Sequence, residues 1–440
     1  MRDLLVSLLV FGALPWILMR PYVGVLVYTW LGLMNPHRLT YGFAFSFPFG
    51  TVVAIATIVS MLISGEKKRV PFTGTFWVWL LLIVWWNVTT VFALNPEDAL
   101  QEWDRAMKIQ LMVFVTMLLM IGKDRIHAFV WVMAVSIGFF GVKGGLFAIL
   151  TGGHYLVMGP AYSFIAENNT LALALIMVLP LMRYLMVSSD NKYVRTGLLG
   201  AIILTTFSIV SSHSRGAFLA GGMILLFLIF KSRHKVRFLL AAGVLVPIVL
   251  LFMPDAYFER MGTISSYDQD LSAMGRINAW WFAFNLASDY PITGGGFRAF
   301  QDHLFLTYAP NPQDTHDAHS IYFEILGEQG FVGLALFLLL GFMALRSCSW
   351  VISATKARVD MEWATDLAAM LQVSLVGYAT GGAFLGLAYY DLYYNLVAVV
   401  IVLQHHVREK LAQEESRPVV APDEDGEDAR PPGKGVRGLT

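Results

Sequence analysis

Cysteine is nearly absent from this sequence: Cys348 stands alone among 440 residues. An internal disulfide and any multi-cysteine metal or iron–sulfur site are therefore excluded. Net charge is absent too, with 31 Lys and Arg against 31 Asp and Glu, so no global basic field argues for a nucleic-acid partner. Only 14% of residues are charged, which makes the position of each charge informative. No small-residue cleavage site follows the apolar run after Met1-Arg2-Asp3. That run reads as a retained anchor, not a signal peptide. The chain carries no evident internal repeat or heptad.

What is present is apolar. Hydrophobic residues make up 57% of the chain and come in blocks of about 15 to 25 without amphipathic spacing, the mark of a polytopic membrane protein. Leu4 to Met34 is interrupted by Pro15 and by Arg20-Pro21, so it reads as one broken span or two short half-helices. Eleven further spans follow, near 47–65, 75–93, 109–122, 127–151, 170–187, 196–213, 214–230, 238–253, 330–346, 364–386 and 392–406.

Short loops rich in Lys and Arg stay cytoplasmic. Every second loop is of this kind (66–69, 123–125, 192–195, 231–237, 346–358 and 408–410), whereas 152–169 and 388–391 carry no Lys or Arg. With Arg2 also placed on the cytoplasmic side, Leu4 to Met34 must cross an odd number of times. That selects one broken span, about twelve transmembrane helices and two cytoplasmic termini. The expected fold class is all-α, a polytopic integral membrane protein with one large outer loop containing short interfacial helices. Spans one to nine fall in 1–253, the loop in 254–329, and spans ten to twelve in 330–410. Residues 411–440 turn to Pro, Gly, Asp and Glu and read as a disordered tail.

The outer loop and its borders hold the candidate chemistry. Arg215 sits in Ser211-Ser212-His213-Ser214-Arg215-Gly216, a polar turn between two apolar runs. An arginine there is costly. It either snorkels to headgroups or offers its fork to a phosphate group in a pocket made polar by the serines. Arg276 lies in Gly275-Arg276-Ile277-Asn278-Ala279-Trp280-Trp281, an aromatic stretch of helical length that would lie in the interface. There Arg276 is incidental, or faces an anionic headgroup together with Arg215. Arg298 follows Gly294-Gly295-Gly296-Phe297, where glycines either make a plain turn or let backbone N–H groups approach an anion.

His319 is the leading candidate. It directly precedes the apolar run from Ile321, with Asp314, His316 and Asp317 nearby. A lone histidine is usually a surface or satisfied core residue, but a neutral imidazole there can take a proton from an alcohol while a carboxylate holds its tautomer. Zinc is the rival, since His316 and His319 are three apart; no third ligand of fitting spacing stands out. No metal is therefore expected.

His319-Ser320, nine residues, then Gly330-Phe331-Val332-Gly333 resembles the signature of the O-antigen ligase and polymerase superfamily. Ser214-Arg215-Gly216 and Gly275-Arg276 resemble that family's two arginine positions. Asn35-Pro36-His37-Arg38 and Gly275 to Trp281 are most similar to the branch of O-glycosylation ligases associated with exosortase systems. The resemblance implies inverting transfer, without a metal or any other cofactor, of a glycan from undecaprenyl diphosphate to an acceptor hydroxyl on the periplasmic face of the bacterial inner membrane. It implies lipid A-core as acceptor first, with a protein or a growing polysaccharide as alternatives. His319 would be the base, with Arg215 and Arg276 binding the diphosphate. Arg298 is added as a third phosphate ligand from position, and His316, Asp317 and Ser320 as supporting residues. A transporter would prefer paired broken helices and charges at mid-membrane, whereas here the polar residues gather at one face.

Overall fold

The computed structural model describes residues 1–231, 235–251, 253–255, 258, 262 and 271–416. Fifteen α-helices occur among them, and no strand. They are α1 (Arg2–Met19), α2 (Pro21–Met34), α3 (Phe49–Ile63), α4 (Gly74–Val91), α5 (Pro96–Leu119), α6 (Lys123–Leu150), α7 (Asn168–Ser188), α8 (Lys192–Val210), α9 (Arg215–Lys231) and α10 (Lys235–Leu251). Then come α11 (Leu271–Asp289), α12 (Asp302–Tyr308), α13 (Ile321–Thr355), α14 (Glu362–Gly381) and α15 (Asp391–Glu415). Among the described residues, seven helical segments are long and apolar enough to cross a membrane, by length and composition. The chain is thus an all-helical polytopic membrane protein, and each of the eleven later apolar runs coincides with a helix. The basic loop 231–237 lies partly outside the described residues, and the tail does so from residue 417.

Helix α7 and the 392–404 stretch of α15 are buried nearly all round, as expected of largely apolar stretches at the centre of a bundle. In contrast α1 exposes Leu4, Leu5, Leu8 and Trp16, side chains suited to lipid. The first run departs from expectation. Arg20 is extended and Pro21 opens α2 at its first position, where proline's fixed φ and missing N–H cost nothing. The chain doubles back there: Val6 and Val10 of α1 pack in one cluster with Leu31 of α2. The Asp3 carboxylate accepts from Gly42 and Ala44 N–H at 3.0 and 3.2 Å. Leu4 to Met34 is a helical hairpin instead of one broken span.

That hairpin changes the parity. Residues 2–3 lie on the face with 39–47, whose Phe45 meets Tyr162 edge-on. The opposite face gathers the basic loops, through the ion pairs Arg69–Glu409, Arg125–Glu66 and Arg358–Glu414. The start of α1 and the end of α15 are therefore on opposite faces. The expected shared side for both termini does not hold, because the charge rule was applied to a single Arg2 whose side chain reaches the Leu39 carbonyl instead.

Candidate active site

The segment expected to hold short helices contains the long α11 as well as the short α12, and α11 serves mainly as a frame. Asn278 ties the following loop in three places. Its amide donates to the carbonyls of Asn311 and Asp314, each at 2.9 Å, and its oxygen accepts from Asn311 N–H at 2.8 Å. Trp280 donates its indole N–H to the Ala318 carbonyl at 2.8 Å and stacks on Phe323 with centroids 5.0 Å apart. Gly275 is required for space, since a Cβ there would lie 2.7 Å from Nε2 of His316. The aromatic stretch read as an interfacial belt is thus what holds residues 311–320 in place.

The glycine run does not cradle an anion. Its N–H groups are used on α13, Gly295 donating to Gly327 at 2.8 Å and Gly296 to Glu328 at 2.9 Å. These bonds dock the run against Gly330, where α13 breaks with φ +68° and ψ −175°. Arg298, at φ +56°, donates its own N–H to Glu328 Oε1 at 2.7 Å. Its guanidinium lies 3.3 Å from Glu102. A guanidinium already paired with one half-buried carboxylate is a weaker candidate for a third phosphate ligand.

Beside the pinned loop lies a cavity of about 570 Å³. It is lined by His319, Asp317 and Arg298, and also by Asp98, Glu102, Glu167, Glu324, Glu328 and Tyr389. His319 sits at φ +42°, a left-handed turn that aims the chain into α13. Burial holds its imidazole below the ordinary value, and the nearby Arg276 pushes the same way, while Asp317 and Glu167 pull upward. A mostly neutral imidazole within electrostatic reach of two carboxylates and one guanidinium is chemically a base.

The other expected residues distribute unevenly. Arg276 does not line the cavity and acts on His319 electrostatically. His316 also acts on it, but stands outside the lining, its Nε2 2.8 Å from Asp314. Ser320 starts α13, and its buried hydroxyl does not line the cavity. Arg215 does not line it either. Its turn is built inward: Ser214 accepts from Ala217 N–H at 3.2 Å as the cap of α9, Ser212 returns to the Ile209 carbonyl, and Asn168 donates to Ser212 O at 2.7 Å. The serines shape the turn and do not make a pocket around the arginine. Asn168, at the start of α7, thereby pins that turn.

Sequence reasoning missed the carboxylates. Glu324 and Glu328, four apart in the apolar run 321–329, were the legible signal. Glu328 accepts from the Tyr389 hydroxyl at 2.6 Å, and Tyr389 accepts from Gln329 at 3.0 Å. Gln329 in turn accepts from Thr89. Glu167 and Tyr389 gave no local pattern, since helix packing alone brings them in.

With the geometry in place, residues 200–338 match the family O-antigen ligase. The likeness to that superfamily holds. The match spans Arg215, Arg276, Arg298, His316, Asp317, His319 and Ser320, and it points to a glycosyltransferase of the ligase or polymerase type. Residues 1–190 match a family of unknown function (DUF5935), and they supply Asp98, Glu102 and Glu167. No curated protein matches the chain.

Proposed function

We propose that the chain is an inverting, metal-independent glycosyltransferase of the bacterial inner membrane, taking a glycan from undecaprenyl diphosphate to an acceptor hydroxyl at the periplasmic face. Lipid A-core is the acceptor this reading puts first. The observation that carries it is His319, neutral and half-buried in a cavity walled by carboxylates and within electrostatic reach of Arg276.

In this reading the acceptor O–H lies against the imidazole. Its oxygen attacks the anomeric carbon as the proton passes to His319, and the bond from that carbon to the diphosphate oxygen breaks on the opposite side. The diphosphate leaves with the electron pair, and its charge is met by Arg276 from α11 and by Arg215 from the start of α9, since guanidinium forks match phosphate oxygens. Asp317 and Glu167 stabilise the imidazolium that forms. Carboxylates and rings such as Phe164 and Tyr389 offer acceptors and faces to sugar hydroxyls. The site then faces the side on which the chain begins, and α15 ends on the other.

The test is an in-membrane assay in which one lipid-linked oligosaccharide is offered separately to lipid A-core and to protein acceptors. Transfer to lipid A-core supports the reading as stated. Transfer only to protein moves the acceptor to the protein O-oligosaccharyltransferase alternative, and elongation without either acceptor moves it to a polysaccharide polymerase. Movement of intact donor across the bilayer with no bond formed overturns the enzyme reading.

A further inference from the structure

A second cavity, of about 370 Å³, lies on the same face in the N-terminal part of the chain. Its walls are the last turns of α2, the connecting segment 35–48, and the first turn of α3. Its polar groups include His37, Arg38, Ser46 and Thr51, and its rings include Tyr28, Phe45 and Phe47. No carboxylate lines it, in contrast to the His319 cavity.

Arg38 is fixed by rings instead of acids. Its guanidinium carbon stands 4.9 Å from the Phe45 centroid and 5.7 Å from that of Tyr162, and no carboxylate pairs with it among the described residues. Stacking of this kind orients the planar fork without consuming its N–H donors. Beside it, His37 is pushed down to about 4 by burial and by Arg38, so the charge of the cavity at neutral pH is that of Arg38 alone. The His37 Nδ1 atom is buried without a hydrogen-bond partner among the described residues, and buried polar atoms of this kind are rare unless a water or ligand completes them. A rigid cation with no paired carboxylate among the described residues, with hydroxyl and imidazole groups beside it at the ends of two apolar helices, suits a phosphate group.

We propose that this cavity is a second binding site, in which Arg38 and His37 hold the phosphate of a membrane-borne ligand. The site adjoins the proposed active site through one segment: Tyr162 packs on Arg38 and Phe45, while the next residues, Ser163 and Phe164, line the His319 cavity. A substrate or lipid seated here would lie beside the glycan in the first cavity. The proposal stands apart from the transfer reading, since it requires binding only.

The test uses the full chain in a phosphate-free maltoside detergent and measures binding directly. The probes are phosphatidylglycerol and glucose 1-phosphate, with diacylglycerol and glucose as neutral controls. Wild type should bind at least one phosphate probe in preference to its neutral control, and Arg38→Gln should weaken it about tenfold or more. Arg38→Lys, which keeps charge but loses the fork, should weaken it less, and His37→Gln serves as a second variant if Arg38→Gln is poorly folded. Binding of the lipid alone identifies a headgroup site. Binding of glucose 1-phosphate with displacement of the lipid identifies a phosphorylated-sugar site. Equal affinity for phosphate and neutral probes, or wild-type binding by both Arg38→Gln and His37→Gln, overturns the proposal.

Discussion

Gly294 and Gly330 meet backbone to backbone: a Cβ on Gly294 would lie 2.6 Å from the Gly330 nitrogen, and one on Gly330 would lie 2.5 Å from the Ile292 carbonyl oxygen. Both adopt positive φ, +64° and +68°. This contact joins the glycine run to the break in α13 and so fixes Glu328 and Arg298 at the cavity wall. An alanine at either position carries a left-handed penalty and a clash with backbone, together about 2–5 kcal/mol. Gly294→Ala and Gly330→Ala should each lower the thermal unfolding midpoint in detergent and reduce transfer. Wild-type midpoints in both would mean that the two segments do not dock as described.

Asn278 makes a different kind of support, three hydrogen bonds to a loop that carries no regular structure of its own. Asn278→Ala removes all three and leaves Asn311 N–H to find another partner, a cost of about 1–3 kcal/mol. The expected result is a protein that still inserts but cleaves faster in limited proteolysis between 309 and 320 and loses turnover. Unchanged proteolysis would make Asn278 a bystander to the loop.

Much of this was legible because spans announce themselves by composition. Eleven apolar runs gave eleven helices, and the loop ahead of Ile321 brings His319 and Asp317 to one cavity. What failed failed for packing reasons. The glycines before Arg298 look the same in sequence whether their N–H groups await an anion or a helix carbonyl, and the partner is 32 residues away, at Gly327 for Gly295. The belt reading of Trp280 failed likewise, since an indole donates as readily to a loop carbonyl as to a headgroup. The hairpin at Arg20-Pro21 was hidden by parity. One early arginine was allowed to orient the chain, although the charge rule rests on sums over several loops.

The hairpin predicts a labelling pattern. Tyr41 is exposed on the face that carries the outer loop, and Gln313 is exposed in that loop. In a background where the native Cys348 is buried, Tyr41→Cys and Gln313→Cys should both react with an impermeant thiol reagent in intact spheroplasts. Lys356→Cys, at the opposite face, should react only after permeabilisation. Labelling of 313 but not of 41 would restore a single crossing for Leu4 to Met34.

The sharpest prediction concerns His319 as a base, because its neighbours push in opposite directions. His319→Ala should lower transfer roughly 10²–10⁴-fold, about 3–5 kcal/mol in the barrier, with little change in donor binding. The acting form is the neutral imidazole. Burial and Arg276 hold its pKa below the ordinary value of about 6.5, so activity should be full near neutrality and fall as pH drops through a midpoint below that value. Arg276→Ala removes a cation that disfavours the imidazolium, so the acid limb of kcat/KM should move to higher pH. Asp317→Asn removes an anion that favours it, so the limb should move to lower pH, by a smaller amount because Asp317 is exposed and solvent screens it. Arg276→Ala is also expected to weaken donor binding, but the position of the limb can be read from whatever activity remains. Two shifts in the same direction, or a limb that persists unchanged in His319→Ala, would place the base on another group in the cavity, with Glu167 the first to examine.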